Sequence, residues 1–562
     1  MTTERPWLAS YPDGVPADYS FPQVPFTRLL DDAAAAFPVR PALRYEGRVV
    51  TYRELLATVD RVAGSLRELG VERGDRVAVV LPNCPQHVIA LFAVARLGAI
   101  TVHCNPQGTA SELAAQLLDT QPKVVIVLDR ALDTIHAAEP ERDAASVVVC
   151  SLPDYYPRTA ALRLRMPLPK ARARRNRLTA EVPRGHRDFV SLSRRGQPAR
   201  QVEVDPATDV ALLQFTGGTT GTPKPAMLSH ANLVANAYQT RLWLPDATTG
   251  RETTLGVLPL FHVFGLTLCL LTTVLLAGEL VLLPRFDLDL VFAAIDRDRP
   301  TLFPGVPPIY RAILDSPTLR RHDLKSLHAC ISGAMKLPVA VQERFERVTG
   351  AALVEGYGTT ETSPATHANP LNGKRKRGTV GLPLPGTDAR IVALDDPARL
   401  LDIGEAGELA VRGPQVFRGY WNCPDETSVD ADGWLLTGDI ATMDADGYFT
   451  IVDRKKDLII AGGFNIYPAE LESVLSDLDG VADCCVVGLP DRYRGETVKA
   501  FVVRRDGAAL TEQDVLDHCA HHLSAYKVPK SVEFRSALPH NAVGKALRRA
   551  LVAEEMERRE SS

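Results

Sequence analysis

The sequence predicts an α/β protein, with a parallel sheet covered on both faces and a smaller α+β unit at its C-terminal end. Three observations carry that reading. A chain of 562 residues is too long for one hydrophobic core and fits roughly three or four domain-sized units. Short, continuously apolar strands alternate with amphipathic helices in the first half, the pattern of strands buried on both faces. The last hundred or so residues change to a helix, two strands and another helix.

The elements follow in order. Thr51 and Glu54 form a capping box. They open a helix with Leu55, Val59, Val62 and Leu66 on one face, and Gly70 stands where a C′ glycine belongs. Residues 76–81 (RVAVVL) read as a strand, 86–97 as a helix closed by Gly98, and 123–128 (KVVIVL) as a second strand. Near the C-terminal end, Pro468 starts a helix with Leu471, Val474, Leu475 and Leu478 on one face. Strands near 481–488 and 497–504 and a helix near 511–523 complete that unit. No internal repeat is visible.

Composition excludes several classes. The net charge of −4 gives no global sign of nucleic-acid binding. The nine cysteines show neither CxxC nor zinc-finger spacing, so neither a metal site nor a disulfide framework is expected. The first residues, MTTERPW, lack a signal pattern, and a reducing, cytoplasmic setting is the expectation. Residues 258–278 are apolar over a length that could span a bilayer. His262, Gly265 and several Thr and Pro residues interrupt them, and Glu279 follows, so they read as a buried helix. Residues 153–200 look less regular. Between 158 and 187 they carry ten Lys and Arg against a single acid, Glu181. Two readings stay open: a solvated surface loop, or a peripheral contact with anionic lipid at the inner membrane surface.

The chemistry is concentrated in short motifs. TGGTTGTPK at 216–224 holds three glycines, four threonines and one lysine after an apolar strand, 210–215. Glycine allows close backbone approach, consecutive N–H groups form an anion nest, and threonine hydroxyls and Lys224 add donors and charge. The loop is built for a polyphosphate. It is not a Walker A loop, because Thr222 and Pro223 separate Gly221 from Lys224 and Pro225 follows. EGYGTTE at 355–361 is a second Gly/Thr turn ending in a carboxylate, Glu361. A carboxylate beside phosphates points to Mg²⁺. WLLTGD at 434–439 sets Asp439 after a glycine turn, where it can accept hydrogen bonds from ribose hydroxyls. DRKKD at 453–457 is a charged knot, and LPHNAVGK at 538–545 places Lys545 after a glycine.

Together these motifs resemble the adenylate-forming superfamily of acyl-CoA synthetases, firefly luciferase and nonribosomal-peptide adenylation domains. The nearest resemblance is to bacterial long-chain fatty-acyl-CoA ligases. It runs from about Trp7 to about Leu551, and also rests on GELAVRGPQVFRGYW at 407–421, DRKKDLIIAGGFNIYP at 453–468, YKVPK at 526–530 and VGKALRR at 543–549.

The resemblance implies a large N-terminal domain, 1–453, made of parallel-sheet α/β subdomains and a β-rich part, and a small mobile α+β C-terminal domain, 454–562. It implies attack of a carboxylate on the α-phosphate of Mg-ATP, then capture of the acyl-adenylate by coenzyme A. The acid implied is a medium- to long-chain fatty acid. Thr216, Gly217, Gly218, Thr219, Thr220, Gly221 and Lys224 would hold the β- and γ-phosphates. Thr360 and Glu361 would meet the α-phosphate and Mg²⁺. Gly333, Ala334, Glu355, Gly356, Tyr357 and Gly358 would surround the adenine. Asp439 and Arg454 would bind ribose. Lys545 would bridge carboxylate and α-phosphate. His262 joins Lys545, Glu361 and Thr360 as a candidate catalytic residue, Lys456 is the implied hinge, and Gly462 and Gly463 would border a coenzyme A channel.

Pro225 stands where such enzymes commonly have glycine, and Thr359 replaces a common leucine. Lys336 falls near the expected acyl pocket. Burying an ammonium is costly, so Lys336 is expected in solvent. An alternative is loading of a fatty or aryl acid onto a carrier-protein phosphopantetheine. A non-catalytic nucleotide-binding relic would not need Lys545, Glu361, Asp439 and Arg454 together. Oligomeric state is not legible, with a homodimer left open.

Overall fold

A computed structural model describes residues 5–216, 223–424, 426, 428–461, 464–491, 495–540 and 546–560. Gly217, Gly218, Thr219, Thr220, Gly221, Gly462, Gly463 and Lys545 lie outside the described residues.

The elements form where local chemistry favours them. Thr51 and Glu54 close a reciprocal capping box on the helix Tyr52–Glu68, whose Leu55, Val59, Val62 and Leu66 are fully buried. The strands Arg76–Val80 and Val124–Leu128 flank each other in parallel. They belong to a seven-stranded sheet that is parallel except for its edge hairpin, Val210–Phe215 with Pro225–Ser229. A nine-stranded sheet has a parallel centre and antiparallel pairs at both ends. Both sheets share one hydrophobic core that reaches from Trp7 to Phe449.

A four-stranded antiparallel sheet follows: Asp388–Val392, Gly407–Arg412, Leu435–Met443 and Phe449–Arg454. The C-terminal part has its own five-stranded sheet. Its helix Pro468–Asp477 begins on proline, as expected, and buries Leu471 and Leu475 in a separate core with Val486, Val502 and Val515. The helix Glu512–His522 covers the same core through Val515 and Cys519.

One expectation holds in its essentials and one needs correction. The apolar stretch 258–278 is a buried helix over its centre, 263–275, but not over its whole length. Residues 258–262 form a turn, Gly265–Leu271 is π-helical, and an α-helical turn Thr272–Leu275 ends it. All of Gly265–Leu271 is buried in protein. Among the described residues no helix is long and apolar enough to cross a membrane. The basic segment, expected to be less regular, is the one to correct. It folds into two short helices, Arg158–Arg165 and Pro169–Leu178. Alanine, leucine and arginine favour helix intrinsically. The second helix buries no residue, so hydrophobic periodicity gave no signal for it.

Gly265 shows how tightly the turn before the π-helix is packed. A Cβ there would overlap the carbonyl of Pro259. Gly265→Ala must therefore push the 258–262 turn away from the helix. The expected result is a lower Tm, with a loss on the order of 1–3 kcal/mol in denaturant unfolding. A variant as stable as the parent would show that this turn yields freely.

Candidate functional site

The carboxyl ends of the parallel strands converge on one cavity of about 1000 Å³. His103 ends the strand Ile100–His103, and Gln214 and Phe215 end Val210–Phe215 beside it. Ile331 and Gly333 lie at the end of Ala329–Ser332, and Gly356, Tyr357 and Gly358 at the end of Ala352–Gly358. A cleft outside the carboxyl ends of parallel strands is where open α/β sheets bind ligands.

The described ends of the Gly/Thr loop border this cavity. Thr216, Pro223 and Lys224 line it, and the Thr216 N–H donates to the Lys224 carbonyl at 2.9 Å, closing the loop's base. Lys224 pairs with Glu426. Pro225 opens the second strand of the hairpin opposite Phe215, and its carbonyl accepts the Trp421 N–H at 2.9 Å.

The Thr360–Glu361 turn is fixed from several sides. The Glu361 carbonyl accepts the Phe417 N–H at 2.8 Å, and its Oε1 accepts the Tyr420 hydroxyl at 2.7 Å. Thr362 Oγ1 accepts the Thr359 N–H at 2.9 Å, so Thr359 shapes the turn through its backbone. Gly358 cannot be replaced in this geometry, because a Cβ would overlap the Pro364 carbonyl. Among the described residues no group of three His, Cys, Asp or Glu side chains could cage a metal ion. One half-buried carboxylate, Glu361, fits Mg²⁺ that arrives with phosphate oxygens.

A third cluster joins Tyr357, Asp439 and Arg454. The Tyr357 hydroxyl donates to Asp439 Oδ2 at 2.6 Å, and Arg454 Nε lies 2.9 Å from Oδ1. Asp439 and Arg454 are cross-strand partners in the antiparallel sheet. Burial and the neighbouring Asp439 push the Tyr357 hydroxyl well above its usual pKa, so it remains a donor. Lys456 lines the cavity two residues beyond Arg454, and burial lowers its pKa. Residues 546–550 also line it. Arg548 is held by Asp457 at 3.0 Å and Glu472 at 2.5 Å.

The remaining wall is greasy: Phe261, Val263, Phe264 and Leu268. His262 sits among them. Its Nδ1 accepts the Phe264 N–H at 3.3 Å, which leaves the proton on Nε2. Burial pushes its pKa down to about 4, so it is neutral at neutral pH and can donate. Gly333 and Ala334 line the cavity, Ala334 with φ of 65°. Lys336 is exposed and does not line the cavity, as expected.

Glu355 is buried beside that turn rather than on the cavity surface. Its carboxylate accepts the Leu337 N–H, and its Oε2 has no hydrogen-bond partner. The sequence did not point to Tyr420 as a partner of Glu361, although Tyr420 lies within one of the matching motifs. Nor did it point to His103 or Gln214, which meet only because their strands are parallel neighbours.

This architecture and cavity define a nucleotide-handling α/β enzyme with an apolar second compartment. The chain belongs to the AMP-binding enzyme family, whose model matches residues 30–421. The model of the AMP-binding enzyme C-terminal domain matches residues 470–545. A long-chain-fatty-acid–CoA ligase of Bacillus subtilis (strain 168) is 43% identical over 568 residues, covering 99% of each chain. A feruloyl-CoA synthase of Amycolatopsis sp. is 38% identical, covering 91% of this chain and 95% of that one. The crystal structure of ATP-bound MatB from Rhodopseudomonas palustris superposes with a TM-score of 0.79 at 31% identity, over 94% of this chain and 98% of that one.

Glu355 yields a pH prediction. Burial raises its folded pKa to about 8, above the ordinary carboxylate value. Below the unfolded pKa both states are protonated and Glu355 costs nothing. As pH rises toward 8 the unfolded chain ionises first, so folding stability falls. Glu355→Gln keeps an acceptor for Leu337 and removes that dependence. In thermal melts it should gain over the parent from about pH 5 to 8, by on the order of 1–3 kcal/mol, and lose that advantage near pH 4. A pH-independent difference would contradict the assignment.

Proposed function

We propose that the protein activates a medium- to long-chain fatty acid with ATP and transfers the acyl group to coenzyme A, releasing AMP and pyrophosphate. One observation carries this reading. A single cavity joins the phosphate-loop ends, the Thr360–Glu361 turn and Arg454, which is paired with the buried Asp439, to the apolar wall of Phe261, Phe264 and Leu268. The cluster of long-chain-fatty-acid–CoA ligases among full-length relatives supports it.

In this reading residues 216–224 cradle the β- and γ-phosphates. Thr360 and Glu361 face the α-phosphate, and Glu361 would hold the Mg²⁺ that accompanies ATP and offsets phosphate charge. Gly333, Ala334, Gly356, Tyr357 and Gly358 border adenine, with Glu355 bracing them from behind. Asp439 and Arg454 take ribose, His262 donates a hydrogen bond from Nε2, and Gly462 and Gly463 border the thiol's path. Lys545 bridges carboxylate and α-phosphate, where a cation offsets the repulsion between two anions and stabilises developing charge. We place the domain boundary after Asp453, with Lys456 as hinge. Two features support it: Phe449–Arg454 is the last strand of the antiparallel sheet, and a separate core begins at Ile459.

The test is pyrophosphate release across a panel of acids, with and without coenzyme A. Each buried methylene is worth about 0.8 kcal/mol, so specificity should rise with chain length to a cut-off. Preference for acetate or for small dicarboxylates would overturn the fatty-acid reading. Lys545→Ala should lose adenylation by on the order of 100-fold or more, while thioester formation from supplied acyl-adenylate survives better. Equal losses in both half-reactions would contradict the role given to Lys545.

The basic helices add a peripheral contact with anionic lipid to this reading. Leu162, beside Arg163, is 67% exposed and Leu168, between the two helices, 55% exposed, and a basic helix pair with exposed leucines suits an anionic interface. The protein should cosediment with phosphatidylglycerol vesicles but not with phosphatidylcholine vesicles at low salt. Replacing Arg172, Arg174, Arg175 and Arg177 by Gln should abolish cosedimentation and leave activity on dissolved acid intact. Unchanged cosedimentation would remove these helices from the contact.

A further inference from the structure

A polar chain runs through the wall of the cavity, and its proton count does not close. It starts at His87, which is fully buried on the helix Pro85–Arg96. Its Nδ1 lies 3.0 Å from the Leu81 carbonyl oxygen and 3.3 Å from that of Pro82. Two carbonyl oxygens can only accept, so Nδ1 carries the proton. Burial pushes the pKa of His87 down to about 4, so the ring is neutral and Nε2 is a bare lone pair.

His103 Nε2 lies 3.2 Å from that lone pair, nearer than its Nδ1 lies to any acceptor, and we assign the His103 proton to Nε2, donating to His87. Burial, then His87 and more weakly His262, hold His103 well below its usual pKa, and the opposing pull of the Gln214 oxygen does not offset them. Among the described residues no carboxylate, lysine or arginine acts on either ring to offset a charge. His103 is therefore neutral too, and its Nδ1 is a lone pair. That atom faces Gln214 Oε1 at 3.3 Å, an acceptor against an acceptor. The amide cannot turn over to repair this. Gln214 Nε2 donates to the Phe261 carbonyl at 3.0 Å, and a flip would set two carbonyl oxygens together. His103 and Gln214 both line the cavity.

We propose that His103 Nδ1 and Gln214 Oε1 form a two-acceptor subsite that takes a hydrogen-bond donor, a hydroxyl or an amide N–H, from a bound substrate. The inference rests on the reading of the cavity as an acid-activating site and adds the substituent it welcomes. A plain alkyl chain against this wall leaves two buried lone pairs unsatisfied, whereas a donor group supplies the missing proton. Sites built to bond a substrate hydroxyl discriminate strongly against analogues that lack it. The donor can come from a hydroxylated acid or from the amides of the pantetheine arm. Gln214 is bonded to Phe261 in the apolar wall, which favours the acid.

His87→Leu tests this without changing a cavity-lining residue. It removes the acceptor that fixes the His103 proton on Nε2. The proton then moves to Nδ1, bonds Gln214 Oε1 and closes the subsite. In ATP–pyrophosphate exchange without coenzyme A, the parent should favour at least one monohydroxydodecanoic acid over dodecanoic acid by about tenfold or more in kcat/KM. His87→Leu should erase that ratio. In the second arm, pantetheine is compared with butanethiol as acceptor of a supplied acyl-adenylate. A ratio lost only in this arm assigns the donor to pantetheine.

If neither ratio moves, the subsite does not exist. If the parent exchanges pyrophosphate with no acid, the functional reading fails, and the subsite is judged by ¹⁵N chemical shifts of His103 alone. A bare Nδ1 in the full-length protein supports it, and a protonated Nδ1 overturns it. The same measurement decides the matter if His87→Leu does not fold.

Discussion

The backbone from Glu361 to Ala365 is the knot on which the cavity depends. The Ser363 carbonyl accepts the Thr267 hydroxyl of the π-helix at 2.7 Å, and its own hydroxyl reaches the Gln415 carbonyl at 2.9 Å. Asn236, on the helix His230–Leu242, bonds both the N–H and the carbonyl of Ala365. Phe417 and Tyr420 secure Glu361. The π-helix of the apolar wall, the helix that follows the edge hairpin and the segment 415–420 are thus referred to five consecutive residues. A buried polar network with satisfied partners specifies one arrangement, which an apolar contact alone would not.

The apolar wall and the nucleotide end meet along a thin seam. A Cβ on Gly333 would sit 2.8 Å from the Phe264 ring. The turn expected beside adenine therefore touches the wall expected beside the acid.

Much of this was legible in the chain. The capping box at Thr51, the proline start at Pro468 and the buried parallel strands follow from local rules, because each signal lies within a few residues. The cluster of Tyr357, Asp439 and Arg454 was legible as members but not as a geometry, since cross-strand pairing sets their distances. The basic helices were missed because the first is only two turns long and nothing on the second is buried. The π-helix was missed because composition cannot distinguish helix types, and because Gly265 acts through a neighbour outside its own helix. His87, His103 and Gln214 gave no signal at all. A single histidine on an apolar strand is ordinary, and only the tertiary fold supplies its partners.

Arg548 ties two distant segments together mechanically. It is gripped by Asp457 and Glu472, both beyond Lys456. The start of the last helix is thereby welded to the segment just after the proposed pivot rather than to the body of the large sheets. Any turn about that pivot would carry residues 546–550 as a stiff crank, with little slack between joint and tip. A crank of this kind withdraws whatever it holds in a single stroke, so clearing the cavity and reshaping its mouth would be one event rather than two.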